Sequence, residues 1–258
     1  VAVTTIAYDP EVSVYTGEPM ARIDQYFNPQ LRWEMMRMIN VGIDFATKNN
    51  RISGSVEFYN KKGSNLFGQA PIDYTTGVTT MLCNVAGMKG NGIDVVLNTK
   101  NIDKAFKWNS IVNFSTYKDK VTDYYLPTTF ASDFVAQSGN TSPISGIIGL
   151  PVYSVFAYKW AGLDPETGAP RGYLNGEISQ QYSEITSSDR GIEDLQYFGS
   201  AIPTIFGSFI NSFSYKQMSL DVGITYKFLY WFTRSSINFI NLISSRDGHS
   251  DYENRWQK

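Results

Sequence analysis

The sequence predicts an all-β, antiparallel, up-and-down sheet. Three observations point there. Apolar and polar residues alternate with period two over long stretches. Aromatic residues and glycine are frequent while charges are few. The connections between alternating stretches are short and long by turns. A transmembrane β-barrel segment has this pattern, with short turns at one end and long loops at the other. A soluble β-sandwich or jelly roll with a half-buried sheet alternates in the same way, so alternation alone leaves both open.

The elements can be justified in order. A first strand is predicted over 33–46, where Ile39, Val41, Ile43 and Phe45 alternate with Asn40, Gly42 and Asp44. A second is predicted over 51–63, with Ile52, Val56 and Phe58 set against Ser53, Ser55, Glu57 and Tyr59. A third, over 87–101, sets Ile93, Val95 and Leu97 against Gly92, Asp94 and Asn98, with Val96 as the exception. The stretches 106–122 and 204–215 are strand-like in composition with mixed alternation. The clearest strand is 219–231. Leu220, Val222, Ile224, Tyr226 and Phe228 fall on one face, and Ser219, Asp221, Gly223, Thr225 and Lys227 on the other. Successive side chains of a strand point to opposite faces, so each strand has an apolar and a polar side.

Tight turns are expected at Thr47–Asn50, Asn101–Ala105 and Lys216–Met218. Long excursions of about 23 and about 80 residues separate these hairpins, at 64–86 and 123–203. A soluble sandwich uses short connections at both ends. The predicted strands are also long, about 12 to 16 residues, against a usual 5–6. Aromatics gather near strand ends (Trp33, Tyr59, Trp108, Tyr117, Tyr215, Tyr230 and Trp231), as in the aromatic girdles of membrane barrels. Ordinary core packing is the plain alternative for each of them.

Composition narrows the function classes. Charged residues make up 18% of the 258, below the usual quarter, and aromatics 15%. The net charge of -2 offers no basic excess for nucleic acid. A single cysteine, Cys83, allows no internal disulfide framework, and a single histidine, His249, leaves little for a metal site or a histidine-based triad. No catalytic constellation is present, so the chain is not expected to be an enzyme, and no cofactor is expected. The longest strongly apolar run, 228–232, is far short of the roughly 20 residues of a transmembrane helix. A mean hydropathy of -0.24 is compatible with a membrane barrel, in which every second residue faces water or the lumen. The chain opens at Val1 without a signal-peptide pattern, which reads as processing or as a piece of something longer.

Several stretches then carry a family resemblance. They are Asn28-Pro29-Gln30-Leu31-Arg32-Trp33-Glu34, Asn40–Phe45, Arg51–Lys62, Gly87–Asp94, Trp108–Lys120, Gly162–Gly168 and Gly199–Pro203. Their order and spacing over 28–231 resemble the barrel of the SusC/RagA family of TonB-dependent outer-membrane transporters of Bacteroidota. The resemblance implies part of a large, plugged, 22-stranded barrel in the outer membrane, in its C-terminal region. Six strands cannot close such a barrel, and the plug and the TonB-binding segment are expected outside this chain. The polar tail from Ser235 reads as a further external loop. The short turns would be periplasmic, and 64–86, 123–203 and 232–258 extracellular. The family also implies import of a glycan or peptide nutrient. The implied partners are a SusD-like lipoprotein lid, the TonB complex reached through the missing N-terminal region, and outer-membrane lipid, with no nucleic acid.

Candidate residues follow. Tyr124, Tyr125, Tyr153, Tyr158, Trp160 and Tyr173 in the long loop suit stacking on a glycan or docking of the lid. Asp44, Glu57, Asp94, Asn98, Asp221 and Lys227 fall on the polar face and would face the lumen. Asp164 and Glu166 place two carboxylates in a Pro- and Gly-shaped turn. They are metal-ligand candidates without EF-hand spacing, and a plain surface turn is the favoured reading. Cys83 reads as a small buried thiol in a loop, His249 as solvated, and Gly87–Gly92 as a flexible lead into a strand. The competing functions are active import, a passive porin-like channel, and a soluble carbohydrate-binding or adhesin-like β domain.

Overall fold

The structure is a computed structural model that describes residues 3–257 apart from 74, 76, 77, 79, 127–129, 136–145, 188 and 247. In chain order its strands are β1 (Thr5–Val12), β2 (Pro19–Gln25), β3 (Met35–Ala46), β4 (Ile52–Pro71), β5 (Thr80–Asp103), β6 (Phe106–Tyr124), β7 (Ser154–Tyr158), β8 (Trp160–Leu163), β9 (Pro170–Leu174), β10 (Glu177–Ser179), β11 (Leu195–Ser200), β12 (Ile205–Tyr215) and β13 (Met218–Phe228). Three short helices are α1 (Ala131–Phe134), α2 (Tyr182–Ile185) and α3 (Phe239–Ser244). The chain divides into two units: Val1–Pro127 with Gly146–Val152 and Ile205–Lys227, and Thr128–Ser145 with Tyr153–Thr204 and Phe228–Lys258.

The first unit is built on one six-stranded sheet in the order β13-β12-β6-β5-β4-β3. Its strands follow one another across the sheet in chain order, as an up-and-down meander requires. β3/β4, β4/β5, β5/β6 and β6/β12 pair antiparallel. The tight turns all lie at one end of the sheet. Between β3 and β4, Asn49 and Asn50 take left-handed φ values of 63° and 51°, which asparagine tolerates better than most residues. A separate hairpin, β1/β2, precedes the sheet and was not expected from the sequence.

Two expected loops hold strand structure instead. The excursion at 64–86 is largely an extension of the β4/β5 hairpin, paired from Leu66↔Ala86 to Pro71↔Thr80 beyond a register shift at Gly63–Phe67. The shift lets pairing resume past Asn65, whose φ is 57°. Cys83 and Gly87–Gly92 therefore lie inside β5 and not in a loop or at a strand start. At the other edge β13 stops at Phe228, short of the expected 231, because Leu229 turns left-handed at φ 56°.

The second expected loop contains five strands and its own small core. β7 pairs β11, and β8, β9 and β10 form a three-stranded sheet. Phe134 and Phe156 meet edge-on with centroids 5.6 Å apart, and Phe156 meets Tyr197 at 5.3 Å. Ala131, Phe134, Phe156, Ile185 and Leu195 are buried there. The six-stranded sheet behaves differently: among its described residues the buried hydrophobic side chains are Tyr59, Val85 and Val121. A sheet of this size with so small a dry core has its apolar face turned outward.

Candidate functional site

The candidate site is the wall formed by β3–β6, β12 and β13, and its two faces follow from register. Glu57 is directly opposite Asp94, Asp44 opposite Ser55, and Ser53 opposite Asn98. Asn98 is opposite Ile111, which is opposite Ile210, and Ile210 packs toward Gly223. Asp221 and Lys227 share the Gly223 side of β13 by alternation. The register therefore brings Asp44, Glu57, Asp94, Asn98, Asp221 and Lys227 onto one face. Asn40 donates from Nδ2 to Glu57 Oε2 at 3.1 Å. Two carboxylates directly opposite one another are unfavourable in isolation, and among the described residues neither has an ion-pair partner.

Two tyrosines counted as strand-end aromatics also belong to this polar face. Tyr59 is opposite Gly92, which is opposite Tyr117. The two rings stack across the glycine at 6.5 Å, with Lys61 Nζ 4.8 Å from the Tyr59 centroid. They are not girdle residues. The parity with Glu57 that exposes this was already visible in the sequence.

The opposite face is layered. Val41, Phe58, Ile93 and Thr116 make one cross-strand row; Ile43, Val56, Val95 and Phe114 the next; Phe45, Gly54, Leu97 and Val112 the third. Many of these side chains are exposed, Ile43 at 70% and Phe58 at 47%. Toward the tight turns the band ends in a polar network. Trp108 Nε1 donates to Asn211 Oδ1 at 2.9 Å, Ser110 Oγ to the same oxygen at 2.7 Å, and Asn101 Nδ2 to Ser110 Oγ at 2.6 Å. Toward the long connections it ends in Asn60, Asn91 and Lys118, which are register neighbours. An apolar band bounded by polar rows and a tryptophan matches the lipid-facing surface of a membrane barrel.

The motif at Asn28–Glu34 clamps the extended hairpin. One side-chain amide, that of Asn84, accepts from the Arg32 amide at 2.7 Å and donates to the Arg32 carbonyl at 2.7 Å and to the Asn65 carbonyl at 2.6 Å. Asn28 Nδ2 donates to the Leu82 carbonyl at 2.9 Å and toward Cys83 Sγ at 3.4 Å, and the Phe67 amide donates to Glu34 Oε1 at 2.7 Å. Cys83 is half-buried. A cleft of about 640 Å³ beside this clamp is lined by Gln30, Arg32, Asn65 and Asn84 among others.

Two of the loop aromatics, Trp160 and Tyr173, do not share a platform. Trp160 is opposite Gly172, and the next residue, Tyr173, is opposite Ile178, so Trp160 and Tyr173 fall on opposite faces of the small sheet. Both are exposed, as are Tyr125 and Tyr153. Tyr158 sits half-buried in β7, where burial pushes its phenol pKa up. The half-buried Tyr124 ring packs on Gly146.

Asp164 is engaged as a turn residue. Oδ1 accepts from the Glu166 and Thr167 amides, both at 3.0 Å, and Oδ2 from Gln180 Nε2 at 3.1 Å. The Thr167 and Glu166 amides hold its carboxyl below the usual range. Among the described residues no three His, Cys, Asp or Glu side chains group as metal ligands. His249 Nδ1 accepts from the Asp251 amide at 3.1 Å in the tail.

No protein-family model matches the chain. Curated relatives do. It is 26% identical over 202 residues to TonB-dependent receptor P26 of Formosa agariphila, covering 75% of this chain and 20% of that one. It is 27% identical over 143 residues to TonB-dependent receptor SusC of Bacteroides thetaiotaomicron, covering 52% of this chain and 14% of that one. Among solved structures, the RagAB peptide transporter superposes with a TM-score of 0.65 at 23% identity, over 87% of this chain and 24% of that chain. The chain is similar in sequence to TonB-dependent receptors, SusC among them, and has the fold of a segment of the RagAB transporter barrel. The TonB-dependent-receptor fold explains why the six-stranded sheet has two outer edges and an unburied apolar face: it is one sector of a closed barrel. The chain spans about a fifth of the length of the receptor P26 relative. No helix among the described residues is long and apolar enough to cross a membrane.

Proposed function

We propose that this chain forms part of the wall of an outer-membrane, TonB-dependent importer of glycan or peptide nutrients that works with a SusD-like lipoprotein. The two-faced sheet supports the reading most directly. Its apolar face would meet lipid, and the Asp44–Glu57–Asp94–Asn98–Asp221–Lys227 face would line the lumen and pack on a plug supplied by the rest of the receptor. The tight turns would be periplasmic and the second unit extracellular. The receptor would move its substrate without transforming it, with plug rearrangement driven through TonB. Of the substrate classes, peptide is the first to test, since RagAB is described as a peptide importer.

The test is uptake of labelled oligopeptides and oligosaccharides by cells carrying the full-length receptor. Uptake is expected to vanish when either the receptor or TonB is removed. Uptake that persists without TonB would instead establish a passive porin-like channel. Co-purification of a lipoprotein with the receptor tests the lid. Trp160→Ala and Tyr173→Ala test the loop aromatics: unchanged uptake and unchanged lid retention would remove both from the contact surface. A soluble adhesin-like domain is disfavoured by the exposed aliphatic rows, which in water would form an apolar patch far larger than monomers tolerate.

A further inference from the structure

Resting on the membrane-spanning reading, a second feature of the lipid-side face points to a ligand. Arg37 is directly opposite Lys62, Lys62 opposite Lys89, and Lys89 opposite Lys120. Four cations thus form one row across β3–β6, on the same side of the strands as Val41, Phe58, Ile93 and Phe114. All four are exposed. Among the described residues none has an acidic partner; the one acid of the paired strands on this side, Asp123, stands opposite Gly87, beyond the cation row toward the long connections. Like charges directly opposite destabilise a sheet, so the row is unfavourable unless anions sit against it. The next row toward the membrane is Ile39, Asn60, Asn91 and Lys118, and the one after it is Val41, Phe58, Ile93 and Thr116, apolar but for the threonine. From the long-loop end inward the surface therefore reads cation, amide, hydrocarbon. With strands about 4.8 Å apart, the cations span roughly 14 Å, wider than one phosphate, with amides placed for hydroxyls beneath.

We propose that this row binds the phosphorylated headgroup of a glycolipid of the lipid A class in the leaflet at the long-loop end. The cations would take phosphate oxygens, Asn60 and Asn91 would take sugar hydroxyls, and the acyl chains would lie along the apolar rows.

The experiment uses the full-length receptor purified in detergent, with lipid retention read by native mass spectrometry. Phosphorylated lipid A is expected to be retained at least about tenfold more tightly than enzymatically dephosphorylated lipid A or phosphatidylglycerol. Each lysine near an anionic surface contributes about five-fold in affinity. Lys62→Gln/Lys89→Gln/Lys120→Gln should therefore reduce lipid A retention by roughly 100-fold if the effects add. Lys48→Gln/Lys104→Gln/Lys216→Gln, at the tight-turn end, should leave it unchanged. A second readout is independent of retention. Without phosphorylated lipid the first triple variant should melt above the wild type, because like-charge repulsion is relieved, and added lipid A should reverse the order. Equal binding of phosphatidylglycerol and lipid A, an equal loss in both triple variants, or no reversal in melting would overturn the proposal. Heat-modifiable electrophoretic mobility is recorded alongside. If the receptor shows none and retains no lipid of any kind, the membrane-spanning reading falls and this one with it.

Discussion

Two tyrosines show how single residues tie the strands of this sheet together. Tyr59 lies across Gly92, and its hydroxyl reaches the Thr116 carbonyl, one strand further on, at 3.4 Å. Tyr226 lies across Gly207 and donates to the Asn113 carbonyl at 2.9 Å. In both cases a Cβ on the glycine would overlap the end of the tyrosine side chain and a main-chain carbonyl. Gly92→Val and Gly207→Val are expected to destabilise the full-length receptor by about 1–3 kcal/mol. Tyr226→Phe should cost about 1 kcal/mol, and Tyr59→Phe less, because its hydrogen bond is longer. Urea unfolding from micelles gives the ranking, and Tyr59→Phe costing more than Gly92→Val would contradict it. Asp164 supplies a pH dependence. Its folded pKa lies below the unfolded value of about 3.9, with the amides of Thr167 and Glu166 as the main cause. The stabilisation is therefore complete above about pH 4 and is lost as pH falls through the lowered folded value. Trp256 packs on Gly168 of the same turn, so its fluorescence should change in that acid range and should not change between pH 5 and 7.

At the scale of elements, the Asn28–Glu34 clamp makes the sharpest forecast. One amide of Asn84 satisfies both main-chain groups of Arg32, standing in for a neighbouring strand. Asn84→Ala leaves those groups unpaired, at a cost of about 1–3 kcal/mol. Trypsin cleavage after Arg32 should appear in the variant and be slow in the wild type; equal cleavage would show that the clamp is idle. The same segment shows where legibility stopped. The motif at 28–34 could be recognised, but the β5 partners of Arg32 and Asn28 lie 52 and 54 residues away in the chain and the β4 partner of Glu34 lies 33 away, and no local signal ties them. The strand extension past residue 63 escaped for a related reason: alternation breaks where the register shifts at Gly63–Phe67, so a period-two reading ends there while pairing continues. By contrast, Tyr59 and Tyr117 could have been assigned to the polar face from parity alone.

At the scale of the whole molecule, the outcome turns on what covers the apolar face. In water this chain by itself should aggregate through its β3 and β13 edges and its exposed aliphatic rows; size-exclusion chromatography with and without detergent checks this. A monodisperse, β-rich monomer in plain buffer would speak for the soluble domain instead. The sequence by itself determined where six principal strands lie, the two faces of those that alternate cleanly and the places of the tight turns, because side-chain parity along a strand is a local property. The tertiary structure alone decided which residues stand opposite one another. It set Glu57 against Asp94, aligned Arg37, Lys62, Lys89 and Lys120 in one row, and separated Trp160 from Tyr173. Those pairings depend on register between strands, which is set by turns and bulges acting across the sheet and is not written in any one segment.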